Sequence, residues 1–371
     1  MGGSSQSMLL ASELPPVAKT GMLGFLSGGA GGGGTFSAPF YTQLGKTNPS
    51  SSKTVSVNDF ALKQHLMLIR HVIPTGLGTE SNMRFGNGSI SSSTEYASRR
   101  AENFGSTQAL TSKTSWFCNA PASLTTGEEQ FGVSFMENYD GIVKSLIDYE
   151  VDSGSGAPAG TAPNIQENVA KFVETDQINY AEFFNSGTNN YDDDSEFCVL
   201  GYNDDETDGT SVWEELKNIT TDAGQTEIDS GTFADKDYLW FFFYGKHPTT
   251  TLYPFFRANN TTSNVYSYQK SINGGSTTTT INQPNIDCYV TSTGQTWVWG
   301  FIVNKEDYNK LINYSNAGTQ AGAGNTVDRR ELVAGMANSS TRITSLKFFG
   351  GNNPNQYDAG SRLLIFGYTA T

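Results

Sequence analysis

His65, His71 and His247 are the three imidazoles of a 371-residue chain, and imidazole is the side chain best suited to acid–base work or metal ligation near neutral pH. His65 and His71 lie in one apolar run. As strand residues they share a face but stand about 20 Å apart at ~3.3 Å per residue, too far for one metal ion. Each reads as a strand or strand-end residue rather than a catalyst. The densest carboxylates are Asp192-Asp-Asp-Ser-Glu196 and Asp204-Asp-Glu-Thr-Asp208. Hard oxygen ligands of this kind suit Ca²⁺, but the spacing of an EF-hand loop is absent, so solvated acidic turns are the simpler reading. Glu128, Glu129, Glu137 and Asp140 offer acid pairs of the type that hydrolyses glycosides, yet nothing in the sequence sets them across a cleft. No Gly-x-Ser-x-Gly, His-Glu-x-x-His or phosphate-binding glycine loop occurs, so the chain reads as non-enzymatic and without a cofactor. Arg84 and Arg257, with Asn87 and Asn260 nearby, read as structural forks that bind loop carbonyls. Trp297 and Trp299 flank Val298 on one strand and share a face. That face is either core or, if open, a platform for a surface glycan.

The elements that must position these residues repeat. Tyr191, Ser195, Gly201 and Tyr202 match Tyr357, Ser361, Gly367 and Tyr368 at one offset, 357 − 191 = 166. Phe60-Ala-Leu-Lys-Gln-His-Leu66 matches Phe233-Ala-Asp-Lys-Asp-Tyr-Leu239, and Arg84 matches Arg257, at 233 − 60 = 173. Tyr41-Thr-Gln-Leu44 matches Trp213-Glu-Glu-Leu216, one residue out of step. The drift between offsets is loop-length change. A repeat of this length means two copies of one unit.

Both copies read as strands. Thr54-Val-Ser-Val-Asn58 alternates at strand period, His65–Ile73 and Tyr238–Tyr244 are long apolar strands, and Arg362–Tyr368 contains Leu363-Leu-Ile-Phe366 without a polar break, which requires burial on both faces. Asn82–Phe85, Gly132–Tyr139, the stretch 265–280, Asp287–Val290 and Trp297–Val303 supply further strands, seven to nine per copy. The stretch from Ser89 to Lys113 is polar and reads as a loop. Asn164 could cap a short helix over Ala162–Glu174, with a counterpart at Asp328–Met336. The fold expected is all-β: two tandem β-sandwich, jelly-roll-like domains, residues 36–208 and 209–371, behind a flexible Gly-rich N-terminal arm, residues 1–35. Met22, Leu23, Phe25 and Leu26 form an apolar patch before the glycine run of that arm, suited to docking on a neighbouring subunit.

Composition narrows the partners. The net charge is −14, from 23 basic and 37 acidic residues, which argues against nucleic acid. No run of roughly twenty apolar residues spans a membrane, and the N-terminus lacks the pattern of a secretory signal. Cys118, Cys198 and Cys288 form neither a disulfide framework nor a zinc pattern. Aromatics at 12% fill space between sheets and supply interface area.

Met22-Leu-Gly-Phe-Leu-Ser-Gly-Gly, Lys63-Gln-His-Leu-Met-Leu-Ile, Met83-Arg-Phe-Gly-Asn and Tyr357-Asp-Ala-Gly-Ser-Arg-Leu-Leu-Ile-Phe-Gly-Tyr together resemble virion proteins of tailed bacteriophages and related marine or archaeal viruses. In those, a Gly-rich apolar start precedes one or two jelly-roll-like domains. The resemblance implies a virion location and a structural or adhesion role, with self-association and contacts to other virion proteins. It carries over no catalytic residue. The expected place is a tail fibre, spike or peripheral appendage. The alternatives are a capsid decoration or turret protein on the head, or a carbohydrate-binding adhesion module.

Overall fold

The computed structural model describes residues 41–371 apart from 77, 106, 119–127, 155–159, 207–210, 248–253, 273–276, 289–293, 321–327, 337–338 and 351–356. The arm, with Met22, Leu23, Phe25 and Leu26, lies outside the described residues. Among those described there is no α-helix, and none long and apolar enough to cross a membrane.

The first half holds β1 (Thr42–Thr47), β2 (Thr54–Val57), β3 (His65–Val72), β4 (Ser81–Gly86), β5 (Tyr96–Glu102), β6 (Gln108–Lys113), β7 (Trp116–Phe117), β8 (Gln130–Glu137), β9 (Lys144–Asp152), β10 (Asn164–Phe172), β11 (Tyr180–Asn185) and β12 (Glu196–Tyr202). The second holds β13 (Glu214–Thr220), β14 (Glu227–Asp229), β15 (Tyr238–Lys246), β16 (Pro254–Ala258), β17 (Tyr266–Ile272), β18 (Thr277–Gln283), β19 (Ile286–Asp287), β20 (Gly294–Val303), β21 (Lys310–Gln320), β22 (Asp328–Met336), β23 (Leu346–Gly350) and β24 (Arg362–Tyr368). Each half folds into an eight-stranded and a four-stranded antiparallel sheet. In the first half the orders are β1-β12-β3-β8-β9-β10-β5-β6 and β2-β11-β4-β7. In the second they are β13-β24-β15-β20-β21-β22-β17-β18 and β14-β23-β16-β19, the same sequence of positions strand for strand.

Several expectations are corrected. Both segments read as helix are strands, β10 and β22. In β10 the burial alternates, as at Ala170 and Phe172 against exposed Val169 and Lys171, so its period is two and the Asn164 cap signal misled. Ser89–Lys113 is not a loop: it contains β5 and β6, which extend the large sheet at its edge. β6 is exposed along almost its whole length, so no apolar alternation marks it. Twelve strands are described in each half rather than seven to nine, because β5, β6, β9 and β10 and their counterparts widen one sheet. β23 and β24, the last two strands described, do not pair with each other but lie in opposite sheets.

The core has three layers of apolar side chains. Leu66, Leu68, Phe85, Trp116, Phe172, Phe183 and Val199 fill the space between the sheets of the first half. Leu239, Phe241, Phe243, Phe256, Ile302, Phe348 and Leu363 do the same in the second. The third layer joins the halves: Met67, Ile69, Phe131, Val133, Leu200 and Tyr202 face Tyr238, Trp240, Phe301, Leu364, Phe366 and Tyr368. The large sheets therefore stack on each other and are covered on both faces, which is why β3, β12 and nearly all of β15 and β24 are buried residue after residue. Parity along the strand decides the layer. Leu66 and Leu68 point inward, Met67 and Ile69 toward the other half.

Candidate functional site

Among the described residues, polar side chains gather at the seam between the halves, in the interior of the first sandwich, and in the stretch that follows β12.

The seam is closed at one end by a buried carboxylate. Glu196, at the start of β12, lies 3.1 Å from Lys46 Nζ and 3.3 Å from Lys305 Nζ, and accepts a hydrogen bond from the Tyr238 hydroxyl at 2.6 Å. Burial pushes its carboxyl up, but Lys305, Tyr238 and Lys46 outweigh that and hold it below the ordinary value. Glu129 Oε1 accepts from both the backbone and side-chain nitrogens of Asn309 at 2.9 Å. Its other oxygen lies 3.4 Å from His71 Nε2. Tyr308 donates to Asp194 at 2.5 Å and meets the His71 ring edge-on. The C-terminus lies over β1, with Gln43 Nε2 donating to Thr371 O at 2.6 Å and Tyr368 donating to Gln43 Oε1 at 2.7 Å. Trp297 and Trp299 lie on the seam side of β20. They stack on one another at 6.4 Å, Trp299 meets Tyr149 of the first half at 5.7 Å, and both are half-buried.

Inside the first sandwich is a fully buried ionic cluster. Arg70 on β3 reaches across β8 to Asp148 and Glu150 on β9, at 2.8 Å each. Ser134 accepts from Arg70 at 2.6 Å and donates to Asp148 at 2.8 Å. Asn168 donates to the second oxygen of Asp148 at 3.0 Å, and Gln130 to Glu150 at 2.7 Å. Gly132 makes this possible, because a Cβ there would stand 2.2 Å from Arg70 Nη2. Burial drives the Glu150 carboxyl well above its usual range, against the pull of Arg70 and with Asp148 adding to the rise. Asp152, beside it on β9, is pushed up to about 6 by burial. The Ser134 hydroxyl sits between a guanidinium and a carboxylate with no imidazole beside it. The cluster holds charge in place rather than activating a nucleophile.

After β12, His65 Nε2 lies 2.8 Å from Asp204 Oδ1 and 2.9 Å from the Tyr139 hydroxyl, and its ring stacks on Tyr202 at 4.5 Å. Asp204 also accepts from Tyr139, and Glu206 pairs with Lys63. These contacts tie residues 203–206 to the end of the first sandwich.

The structure does not bring the sequence candidates into one site. His65 and His71 sit at opposite ends of β3, and His247 lies near Thr296 and the Tyr357 ring. Among the described residues no three His, Cys, Asp or Glu side chains are grouped to hold a metal ion. In the 192–196 run, Asp193 accepts from Ser51 N and Asp194 from Tyr308, while Glu196 holds the two lysines. Glu129 is committed to Asn309 and His71. Arg84 and Arg257 lie over Phe184 and Phe349, at 4.1 and 4.3 Å from the ring centres, and Arg257 donates to Pro284 O. Both are braces on the small sheet.

Sequence reasoning missed a pair of anchors. Asn138 donates to Lys63 O and Ile178 O and accepts from Ile178 N. Asn304 makes the same three bonds to Lys236 and Ile343. Each is followed by a buried lysine, Lys144 or Lys310, whose ammonium caps carbonyls of the adjacent turn. Asn138 and Lys144 match Asn304 and Lys310 at 304 − 138 = 166, the offset of the last strand. That signal was present in the sequence. No protein-family model matches the chain, and no curated protein matches it in sequence.

Proposed function

We propose that this chain is a non-enzymatic structural subunit of a virus particle, built from two jelly rolls that arose by duplication of one sandwich. The observation that carries the reading is the pairing ladder. β1 pairs with β12, β2 with β11, β3 with β8 and β4 with β7. This is a long antiparallel hairpin rolled on itself, with β5, β6, β9 and β10 as insertions. The second half repeats it as β13 with β24, β14 with β23, β15 with β20 and β16 with β19. Double-sheet sandwiches of this winding are common in viral coats and in lectins, and the step from fold to particle is an analogy of fold.

Equivalent residues keep equivalent work, which supports duplication. Ser195 Oγ accepts from the backbone nitrogen of Ile73, and Ser361 Oγ from that of Lys246, each at 2.9 Å. The Tyr96 hydroxyl bonds both backbone groups of Phe85, and the Tyr266 hydroxyl those of Ala258. A Cβ at Gly201 would stand 2.8 Å from Leu44 Cδ1, and one at Gly367 2.6 Å from Leu216 Cδ1.

The seam favours a place on the particle's shell over a slender tail fibre. Two sandwiches stacked through their large sheets make a block, whereas a fibre is served by modules strung end to end. The glycan reading is less favoured, since Trp297 and Trp299 give part of their rings to the seam. Size-exclusion chromatography with light scattering tests the proposal: a particle subunit self-associates as concentration rises. A strict monomer at high concentration, with glycan-array binding lost on Trp297→Ala or Trp299→Ala, would replace this reading with the adhesion module.

A further inference from the structure

Six large hydrophobic side chains are exposed among the described residues, and four of them lie together: Ile142, Val143, Val169 and Val173, between 41% and 55% exposed. The strand register explains the grouping. Tyr149 on β9, which meets Trp299 in the seam, is opposite Glu167 on β10, and two pairs further on, on the same face, Ile147 is opposite Val169. β9 begins at Lys144 opposite Phe172, so Val143 and Val173 adjoin each other just past the ladder. The patch therefore continues the seam face of the first large sheet beyond the part that the second half covers.

The chain itself contains the contact that such a turn makes. In the second half, the turn between β20 and β21 presents Tyr308 to His71 and Asn309 to Glu129 of the first half. The equivalent turn of the first half, between β8 and β9, presents Ile142 and Val143 (308 − 166 = 142, 309 − 166 = 143). The two turns share a backbone, with positive φ at Gly141 and Asp307, and the lysine that caps Tyr139 O and Ile142 O in one caps Lys305 O and Tyr308 O in the other. One turn is seated on a partner and the other faces solvent.

We propose that the Ile142–Val143 turn, with Val169 and Val173, docks on the second half of another copy of this chain, at the face carrying Tyr244 and Gln295. Those two residues stand where His71 and Glu129 stand in the first half (71 + 173 = 244, 129 + 166 = 295). Tyr244 is half-buried and Gln295 exposed. The substitutions match across the contact: where the chain pairs Glu129 with Asn309 and His71 with Tyr308, the contact between copies sets apolar Val143 and Ile142 against a neutral amide and an aromatic ring. A first-half surface meeting a second-half surface is heterologous, so it propagates from copy to copy and closes into a ring if the rotation allows. The inference rests on the self-association that the particle reading entails.

Paired cysteines test it. Cys118, Cys198 and Cys288 are buried, which keeps the background low. Under mild oxidation the double variant Val143→Cys with Gln295→Cys should form a disulfide-linked ladder of oligomers, and neither single variant should. Val143→Asp with Val169→Asp, both at exposed positions, should keep the far-UV circular dichroism of the parent and weaken self-association at least tenfold in sedimentation equilibrium. Dimers from Val143→Cys alone, a double variant that stays unlinked while the parent is oligomeric, or an Asp variant that assembles like the parent would each overturn this docking surface and leave the particle reading standing. A parent that is monomeric at every concentration overturns both the surface and the self-association it rests on.

Discussion

The two sandwiches have one frame and two fillings. The frame consists of side chains that bond backbone: Asn138 and Asn304 at the turn after the third ladder, Ser195 and Ser361 before the last strand, Tyr96 and Tyr266 over the small sheet. The filling differs at equivalent inward positions. Arg70, Asp148 and Glu150 in the first half become Phe243, Tyr314 and Asn316 in the second. Arg70 lies over Phe183 at 6.0 Å, whereas Phe243 stacks on Phe348 at 4.1 Å. Even the glycine that makes room moves with the filling. Gly132 clears space for Arg70, and in the second half Gly300 clears it for Tyr314, whose Cβ would stand 2.2 Å from an added Cβ. The lesson is that backbone-bonding positions define this winding, while inward positions tolerate ions or rings of matching volume.

The comparison can be broken most sharply at Arg70. Arg70→Ala strands Asp148 in an apolar interior and should lower unfolding stability by about 3–5 kcal/mol, read by denaturant titration. Phe243→Ala should lose a similar amount, about 3–5 kcal/mol, through its cavity. Only the Arg70 variant should recover when Asp148→Asn is added, because only there is the loss electrostatic.

Acidity separates the halves next. The Asp152 carboxyl titrates near 6 in the folded chain, above its ordinary 3.8. A raised carboxyl favours folding below the ordinary value, and that contribution is lost as pH rises through about 6. His247, lowered by burial from 6.5 to about 4, acts in the opposite sense: its contribution is full above 6.5 and is lost as pH falls toward 4. Each limb is worth roughly 3 kcal/mol at 1.36 kcal/mol per unit. Segment-resolved hydrogen exchange should show Asp152→Asn flattening the fall of stability between about pH 4 and 6 in β8–β10, and His247→Gln flattening the rise of stability between about pH 4 and 6.5 around β15 and β20.

The shared frame predicts equality. Asn138→Ala and Asn304→Ala should each cost about 1–3 kcal/mol, and should agree with each other within about 0.5 kcal/mol. A large disparity would mean the anchors are alike in geometry only. The smallest net effect is expected from transplanting the second filling into the first half, with Arg70→Phe, Gly132→Val, Ser134→Gly, Asp148→Tyr and Glu150→Asn together. Replacing a buried ionic cluster by packed apolar groups is neutral or stabilising by about 1–4 kcal/mol. Unfolding of that variant would show that the fillings are not interchangeable.

Much of the frame was legible in the sequence. The Tyr–Ser–Gly–Tyr spacing survives because each residue meets a backbone or tight-packing demand that few others satisfy. The long apolar strands announced burial on both faces, as β24 has. The inserted strands were harder to read. β6 is solvent-exposed and lacks apolar alternation, and β10 begins with a polar run that imitates a helix cap. The ionic cluster was illegible because its members come from separate strands: Arg70 stands in an apolar run, but nothing local shows that Asp148 and Glu150 on another strand are its partners. The seam was legible only as an excess of aromatics. Which strand face they occupy depends on register, and only the fold supplies that.

The central claim is that this block is a repeated building unit of a particle. Electron cryo-microscopy with mass spectrometry of particles purified from the natural source tests it most directly. The account predicts the chain as a stoichiometric component, with density at repeated positions fitting two stacked sandwiches of equal strand order. Particles that lack the chain, while it persists in the soluble fraction as a monomer, would contradict it.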